Sequence, residues 1–270
     1  MTMPPPERAI PYEIGLRPHL IPHTHPATTS IMKTSHGMDD TISPPATSHP
    51  LQIQGEHLEL LPEHAIWWPA RHTLLVADLH LGKAASFRAH GLPVPSGTTQ
   101  DNLQRLTLLV ARHTVRRVVF LGDFLHSVAA RHADVLAQAQ TWRDAHAALD
   151  CVLVRGNHDH HAGDPPPALR LQVVDEPWPL AEGSKLLACH HPQAVSGHTV
   201  LAGHWHPAVV LRGPARDHQR LPCFCHSPGQ MVLPSFGAFT GSTSRPLPQG
   251  ARLYVVGGGR VWPPVVHQLG

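Results

Sequence analysis

The sequence predicts an α/β domain, and two observations indicate it. Short apolar runs of strand length alternate with helical patterns between residues 51 and 270. Five of these runs end next to a residue whose side chain can bind a metal ion. Because binding sites in open α/β sheets form at the carboxyl ends of strands, we expect these side chains to meet at one sheet edge.

The five runs are followed by polar motifs, and their continuous apolar character predicts strands buried on both faces. They are residues 73–77, 118–121, 151–154, 186–189 and 200–202. Helices are predicted at 101–112, from the spacing of Leu103, Leu106 and Leu109, and at the Ala-rich segment 129–149. Further short strands are predicted at 51–53, 57–61, 65–68, 208–212, 221–225, 231–233, 252–256 and 261–267. Two packed sheets flanked by helices accommodate all of these elements.

The N-terminal segment differs from the rest of the chain. Residues 1–50 mix Pro, Thr, Ser and His without apolar periodicity, which predicts a disordered tail, and Met38 is a plausible alternative start. Residues 51–270 are predicted to form the folded domain. No apolar run approaches the roughly 20 residues of a membrane helix, and no secretory signal is visible, so a cytoplasmic protein without membrane attachment is expected.

Composition narrows the function only slightly. The net charge of +2 permits a polyanionic substrate without requiring one. The four cysteines lie in or beside apolar runs, which predicts buried free thiols and no zinc knuckle. With 25 histidines, a single His-x-His has little weight, and only a joint pattern is informative.

The polar residues after the strands form such a pattern. The motifs are Asp78-Leu79-His80, Gly122-Asp123, Gly156-Asn157-His158-Asp159, His190-His191 and Gly203-His204-Trp205-His206. They supply carboxylates, imidazoles and an amide oxygen, enough for two divalent metal ions. Two metals about 3.5–4 Å apart can clamp the attacking and leaving oxygens of a displacement at phosphorus. Mixed nitrogen and oxygen ligands suit Mn²⁺, Fe or Zn²⁺ better than Ca²⁺.

The order and residue types of these motifs resemble the calcineurin-like metallophosphoesterases, which cut phosphate esters. The resemblance implies a four-layer α-β-β-α sandwich of two mixed sheets, with a dinuclear site at the strand ends. It implies that Asp78, His80 and His206 bind the first metal. Asn157, His190 and His204 would bind the second, and Asp123 would bridge them. His190 is favoured over His191 because it directly follows its strand.

The same resemblance implies that His158 orients the phosphate or protonates the leaving oxygen, with Asp159 holding its imidazole. The motifs continue as Leu81-Gly82-Lys83, Phe124-Leu125-His126 and the segment 233–241. This longer pattern resembles the bacterial ligase-associated DNA damage response metallophosphoesterases. It implies a Mn²⁺-dependent phosphodiesterase or endonuclease in DNA repair, found with an ATP-dependent DNA ligase and a helicase. DNA as the substrate rests on this resemblance alone.

Four side chains beside the motifs are candidates to bind substrate phosphate. They are Lys83, Arg88, His126 and Arg155, and for the basic ones surface solvation or a structural ion pair is the alternative. Among the aromatic residues, Phe87, Trp142 and Trp205 offer faces for unpaired bases. Trp205 is expected to pack inward instead.

Two other functions stay open. The Asp-Leu-His-Leu start also resembles the UDP-sugar lipid pyrophosphatases, so a small nucleotide or a sugar-lipid is an alternative substrate. No amphipathic apolar insertion for lipid is visible, which counts against the lipid. A non-catalytic scaffold is the third reading, although buried His and Asp side chains without metal would be costly.

Overall fold

A computed structural model describes residues 47–89, 91–94, 97–126, 132–212, 218–238, 240–242 and 246–268. The predicted tail, including the alternative start at Met38, lies outside these ranges except for residues 47–50. The first strand begins at His49, two residues before the predicted start of the domain.

The described ranges contain four α-helices and sixteen β-strands. The helices are α1 (Lys83–Ala89), α2 (Thr98–Arg112), α3 (Ala133–Ala145) and α4 (Asn157–Ala162). The strands up to α4 are β1 (His49–Ile53), β2 (Glu56–Leu61), β3 (Ala65–Trp68), β4 (Thr73–Ala77), β5 (Arg117–Leu121) and β6 (Asp150–Val154). Those after it are β7 (Gln172–Val174), β8 (Trp178–Pro179), β9 (Leu186–Ala188), β10 (Thr199–Ala202), β11 (Ala208–Arg212), β12 (His218–Ser227), β13 (Gln230–Val232), β14 (Arg252–Gly257), β15 (Arg260–Val261) and β16 (Val265–Val266). Short 3₁₀ turns occur at Pro69–Arg71 and Pro167–Leu169.

The strands form two mixed sheets, which confirms the predicted α/β class. The first sheet runs β1-β2-β3-β4-β5-β6-β7, antiparallel up to β4 and parallel from β4 to β7. The second runs β15-β14-β12-β13-β10-β9-β8, with β11 on β12 and β16 on β14. Within this sheet, β10 is parallel to both of its neighbours, β9 and β13. In both sheets, the parallel strands therefore place their carboxyl ends at a common edge.

Two apolar layers hold the sheets in place. Side chains from both sheets, including Leu75, Val119 and Phe224, form one cluster between them. The other face of the first sheet packs against α2 and α3 through residues such as Leu106 and Trp142. Apolar side chains on both faces explain why β4 and β5 read as continuous apolar runs.

The second sheet follows the alternation expected of a strand with two different faces. On β12, Phe224 faces the layer between the sheets, whereas Cys223 and Cys225 face the opposite side. In the described ranges, β11 and the irregular segment around Leu247 and Ala251 cover that opposite side. All four cysteines are buried and free, as predicted, and burial raises the pKa of their thiols.

Several elements differ from the sequence prediction. The predicted helix 129–149 is observed as Ala133–Ala145, and residues 129–131 lie outside the described ranges. The predicted strand 261–267 is two short strands, separated by Pro263 and Pro264, which lack the N–H that a sheet ladder needs. Helices α1 and α4 and strands β7 and β8 were not predicted, because each is too short to show a periodic pattern. In the described part of the chain, no helix is long and apolar enough to cross a membrane.

Candidate dinuclear metal site

The backbone at the strand ends takes an unusual conformation. Five of the seven predicted metal ligands have a positive φ, in the left-handed region that side chains with a Cβ seldom adopt. They are Asp78 (55°), His80 (47°), Asp123 (50°), His204 (67°) and His206 (46°). Such a conformation costs roughly 1–2 kcal/mol per residue. It persists where the surrounding structure determines it, and such strain clusters at functional sites.

Glycines beside the ligands allow the loops to approach closely. A Cβ on Gly122 would lie 2.2 Å from Nδ1 of His190, and one on Gly156 would lie 2.3 Å from Oδ1 of Asp123. A Cβ on Gly203 would lie 2.6 Å from Oδ2 of Asp78. No side chain fits at these distances, so glycine is a steric requirement at these three positions, each directly before a candidate ligand.

The second predicted metal group is assembled around His190, which is fully buried. Its Nε2 lies 2.9 Å from Oδ1 of Asn157 and 3.0 Å from Nδ1 of His204. Its Nδ1 lies 3.1 Å from the carbonyl oxygen of Leu121, to which it donates, leaving the Nε2 lone pair for a cation. Burial lowers the pKa of His204 to about 4, and its neutral ring is the form that binds metal.

The first predicted metal group is equally close-packed. Nε2 of His206 lies 3.5 Å from Oδ1 of Asp78, and one ligand atom each of Asp78, His80 and His206 lies within 4.8 Å of the others. Both ring nitrogens of His80 are buried without a hydrogen-bond partner in the described ranges. Burial also lowers the pKa of this ring. A buried neutral imidazole without partners is costly, and a metal ion bound at one ring nitrogen would offset part of that cost.

Asp123 lies between the two groups. Its Oδ1 is 3.5 Å from Nε2 of His190, and its Oδ2 is 3.7 Å from Nε2 of His80. Burial and the nearby carboxylate of Asp78 raise the pKa of Asp123. Two adjacent cations would counteract this rise and favour the charged form of the carboxylate. The donor set therefore fits two divalent metals that share one carboxylate.

His190 and His191 both lie beside His204, but their surroundings differ. His191 is partly exposed, and its Nδ1 lies 2.6 Å from Oε1 of Glu176. The other oxygen of Glu176 accepts the backbone amides of His190 (2.5 Å) and His191 (2.8 Å). Glu176 therefore fixes the backbone that carries the buried ligand. No motif indicates this residue, because it lies 14 positions before His190.

His158 lies at the rim of the site with its tautomer fixed. Its Nδ1 lies 2.6 Å from the carbonyl oxygen of His126, which accepts the proton, and its Nε2 lies 3.9 Å from Oδ2 of Asp123. The rings of His126 and His158 stack with centroids 5.0 Å apart. The structure thus brings His126 to the site, as predicted, and burial lowers its pKa to about 4.

Asp159 has a different role from the one expected. Its carboxylate does not hold the imidazole of His158; it accepts the backbone amides of Phe124 (3.0 Å), Leu125 (3.2 Å) and Gly156 (3.0 Å). The reason is that residues 157–162 form helix α4, where neighbouring side chains point in different directions. Asp159 instead ties the loop after β5 to the loop after β6. One of its partners, Leu125, directly precedes His126, whose carbonyl oxygen accepts from His158.

The three basic candidates lie in different surroundings. Lys83 donates to the carbonyl of Thr240 at 3.1 Å. Burial lowers the pKa of Lys83, and the nearby charges of Asp78 and Asp123 oppose this effect, which indicates that Lys83 lies near the site. Arg88 is exposed on α1 and donates to the carbonyl of Val94 (3.5 Å). Arg155 forms ion pairs with two acidic residues, at 2.8 Å and 2.5 Å, which matches the structural alternative.

The three aromatic candidates also lie in different surroundings. Phe87 lies beside the site, 6.0 Å from the ring of His126 in an edge-to-face arrangement. Trp142 is a buried residue of α3, and its ring stacks on that of His146. Trp205 packs against the apolar cluster on the outer side of the second sheet, as expected.

The segment 233–241 is the last part of the longer sequence pattern. In the structure it supports the first ligand: Ser235 Oγ and the amide of Gly237 donate to the carbonyl of Asp78, at 2.9 Å and 3.0 Å. The amide of Phe236 donates to the carbonyl of Ala77 (2.8 Å). A Cβ on Gly237 would lie 2.5 Å from the carbonyl oxygen of Leu79, which explains the glycine.

The chain is similar to a solved structure. The crystal structure of Pseudomonas putida nuclease MPE is 46% identical in sequence, covers 80% of this chain and 100% of its own, and superposes with a TM-score of 0.69. The chain belongs to the calcineurin-like metallophosphoesterases. Such an enzyme is a metal-dependent hydrolase of phosphate esters, and the ligand groups described above are its candidate dinuclear centre.

A second phosphoesterase is more distant. Yfce, a phosphoesterase from E. coli, is 16% identical over 72% of this chain and 98% of its own, with a TM-score of 0.38, which is too low to carry an argument. No protein-family model matches this metallophosphoesterase, and no curated protein does.

Proposed function

We propose that this metallophosphoesterase is a phosphodiesterase that uses two divalent metals, Mn²⁺ by preference, to cleave DNA strands. The observation that carries the chemistry is the position of Asp123, whose two oxygens face two separate groups of metal-binding side chains. DNA as the substrate is supported by the 46% identity to a protein named a nuclease.

The charge of the site suits a phosphodiester. Two carboxylates, Asp78 and Asp123, face the candidate metals, so two divalent ions would leave a net charge of about +2. Lys83 adds a nearby positive charge. When bound, the metals would polarise the phosphate and activate water for attack. A singly charged phosphodiester is attracted to such a centre.

The protein's own residues orient the reaction. The ring of His158 donates Nδ1–H to the carbonyl of His126, so that Nε2 faces the centre. When the ring carries a proton on both nitrogens, Nε2 can give its proton to the leaving oxygen, and the ring returns to its neutral form. Asn157, His190 and His204 would hold the second metal, whereas Asp78, His80 and His206 would hold the first. Lys83 and His126 are proposed to contact the substrate phosphate. Arg88 and Arg155 are weaker candidates, since Arg155 is engaged in ion pairs.

The role in DNA repair with an ATP-dependent DNA ligase and a helicase, and the cytoplasmic location, are further parts of this proposal. They are supported by the resemblance of the motifs. Co-elution of the purified protein with such a ligase on gel filtration tests the partnership directly. Separate elution at micromolar concentrations of both proteins would exclude a stable complex.

The test of the proposed activity compares three substrates in the presence of Mn²⁺. They are bis(p-nitrophenyl) phosphate, single-stranded DNA and a small nucleotide pyrophosphate. We expect cleavage of the first two, loss of both in Asp123→Asn, and full activity in the exposed control Asp134→Asn. If the protein cleaves the model diester and the pyrophosphate but does not cleave DNA, the nuclease proposal is wrong and the substrate is a small molecule. No cleavage by protein that has bound two metals would contradict the enzyme proposal.

A further inference from the structure

Phe87 differs from the other phenylalanines near the candidate metal centre. Its side chain is partly exposed, and it is not a member of any apolar cluster that the described residues form. Phe124 and Phe236, by contrast, are buried in the cluster between the first sheet and its helices. Core packing therefore does not explain an aromatic residue at position 87.

The aromatic neighbours of Phe87 in the described part of the chain lead to the reaction centre. Its ring meets that of His126 edge to face, with the centroids 6.0 Å apart. The ring of His126 stacks on that of His158 at 5.0 Å, and Nε2 of His158 lies 3.9 Å from the carboxylate of Asp123. A row of three rings therefore runs from Phe87 to the side chain proposed to protonate the leaving oxygen.

Helix α1 carries a cation one turn before this ring. Lys83 and Phe87 are four positions apart, a spacing that places two side chains on the same side of a helix. Nζ of Lys83 lies 5.9 Å from the ring centroid of Phe87, and its charge interacts with those of Asp78 and Asp123. Side by side, α1 thus presents a positive charge and an aromatic ring, which are the features that bind the phosphate and the base of a single strand.

We propose that Phe87 stacks on the base of the nucleoside that carries the leaving oxygen, while the scissile phosphate lies at the metals. The assignment rests on the proposed function and deepens it, because it specifies a substrate with an accessible base next to the cleaved bond. Every base has an aromatic face, so this contact tolerates any sequence. A base inside a duplex is already paired and stacked, so the contact favours single strands and unpaired ends.

The test measures the inhibition constants of three dinucleotides against the hydrolysis of bis(p-nitrophenyl) phosphate. One is TpT, and in the other two an abasic nucleoside replaces either the 5′ or the 3′ thymidine. We expect removal of the base on the leaving side to raise the inhibition constant about tenfold, an effect typical of one base stacked on an aromatic side chain. Removal of the other base should have little effect.

Three variants connect this difference to the ring. Phe87→Leu should abolish the tenfold difference, whereas Phe87→Trp, which keeps an aromatic face, should retain it. The matched control is Trp262→Leu. Trp262 is also an exposed ring with a cation over it, Arg260 at 5.0 Å, but it follows β15 at the edge of the second sheet. This control should leave the difference unchanged.

Two results would overturn the assignment. One is equal inhibition by the three dinucleotides in the unmodified protein, and the other is a tenfold difference that persists in Phe87→Leu. If the model diester is not hydrolysed, the proposed function fails by itself. Anisotropy of fluorescein-labelled (dT)₁₀ and of an abasic decamer then decides on Phe87. A preference for (dT)₁₀ that is lost in Phe87→Leu but kept in Trp262→Leu supports the contact, and the same ratio of affinities in all variants contradicts it.

Discussion

His158 approaches both carboxylate oxygens of Asp123. Its backbone amide donates to Oδ1 at 3.0 Å, and its ring Nε2 lies 3.9 Å from Oδ2. One residue thus helps to fix the carboxylate that faces both metal groups and also presents a ring nitrogen to the centre. Because the backbone amide remains in any side-chain variant, the two roles can be separated by mutation.

Replacing the ring in His158→Ala should lower DNA cleavage by about 10²- to 10⁴-fold, the usual contribution of general acid catalysis. Hydrolysis of bis(p-nitrophenyl) phosphate should fall much less, because p-nitrophenolate leaves without a proton. The measurement is kcat for both substrates at saturating Mn²⁺. An equal loss for both would mean that His158 orients the phosphate instead of protonating the leaving group.

Glu176→Gln should weaken metal binding by about 10- to 100-fold, the usual effect of removing a group that supports a ligand. The amide cannot accept all three hydrogen bonds that Glu176 receives from His190 and His191. The measurement is Mn²⁺ titration followed by activity. Glu182→Gln, in an exposed turn, is the matched control, and an equal change in both variants would refute the supporting role.

Gly122→Ala should abolish metal binding at the second group while leaving a folded protein. Its Cβ would collide with the ring of His190, whereas Gly250 has the same φ of 75° with no atom within 4 Å of an added Cβ. Gly250→Ala therefore measures the backbone strain alone, roughly 1–2 kcal/mol. Metal content, measured by mass spectrometry, should be reduced in Gly122→Ala and unchanged in Gly250→Ala. Full metal content in Gly122→Ala would contradict the observed packing.

His64 should make stability depend on pH. Burial lowers its pKa to about 4, and its Nδ1 donates to the carbonyl of Ser235 at 2.8 Å. The unfolded chain, with a pKa near 6.5, binds a proton before the folded one does. The contribution of the neutral His64 ring to the free energy of unfolding is therefore fully present above about pH 6.5 and is lost as the pH falls towards 4. The unfolding temperature of the metal-free protein should fall more steeply over this pH range than that of metal-free His64→Asn. Parallel curves for the two proteins would show that His64 does not cause the pH dependence.

The meeting of the candidate ligands at one sheet edge was predictable because each motif follows a strand of recognisable pattern. Apolar runs ending at Asp78, Asp123 and His190 were enough to predict a common sheet edge. The role of Asp159 was not predictable, because it depends on α4, a helix of six residues with no periodic signal. The partners of Arg155 lie 9 and 20 residues away, so its ion pairs could not be read from its neighbours.

The most direct test of the dinuclear centre is the number of Mn²⁺ ions bound per chain, measured by calorimetry on metal-free protein and on Asp123→Asn. The position of Asp123 between two ligand groups predicts two ions in the unmodified protein and no more than one at the same concentrations in the variant. A single ion in the unmodified protein, or two ions bound with unchanged affinity in Asp123→Asn, would contradict a centre bridged by this carboxylate.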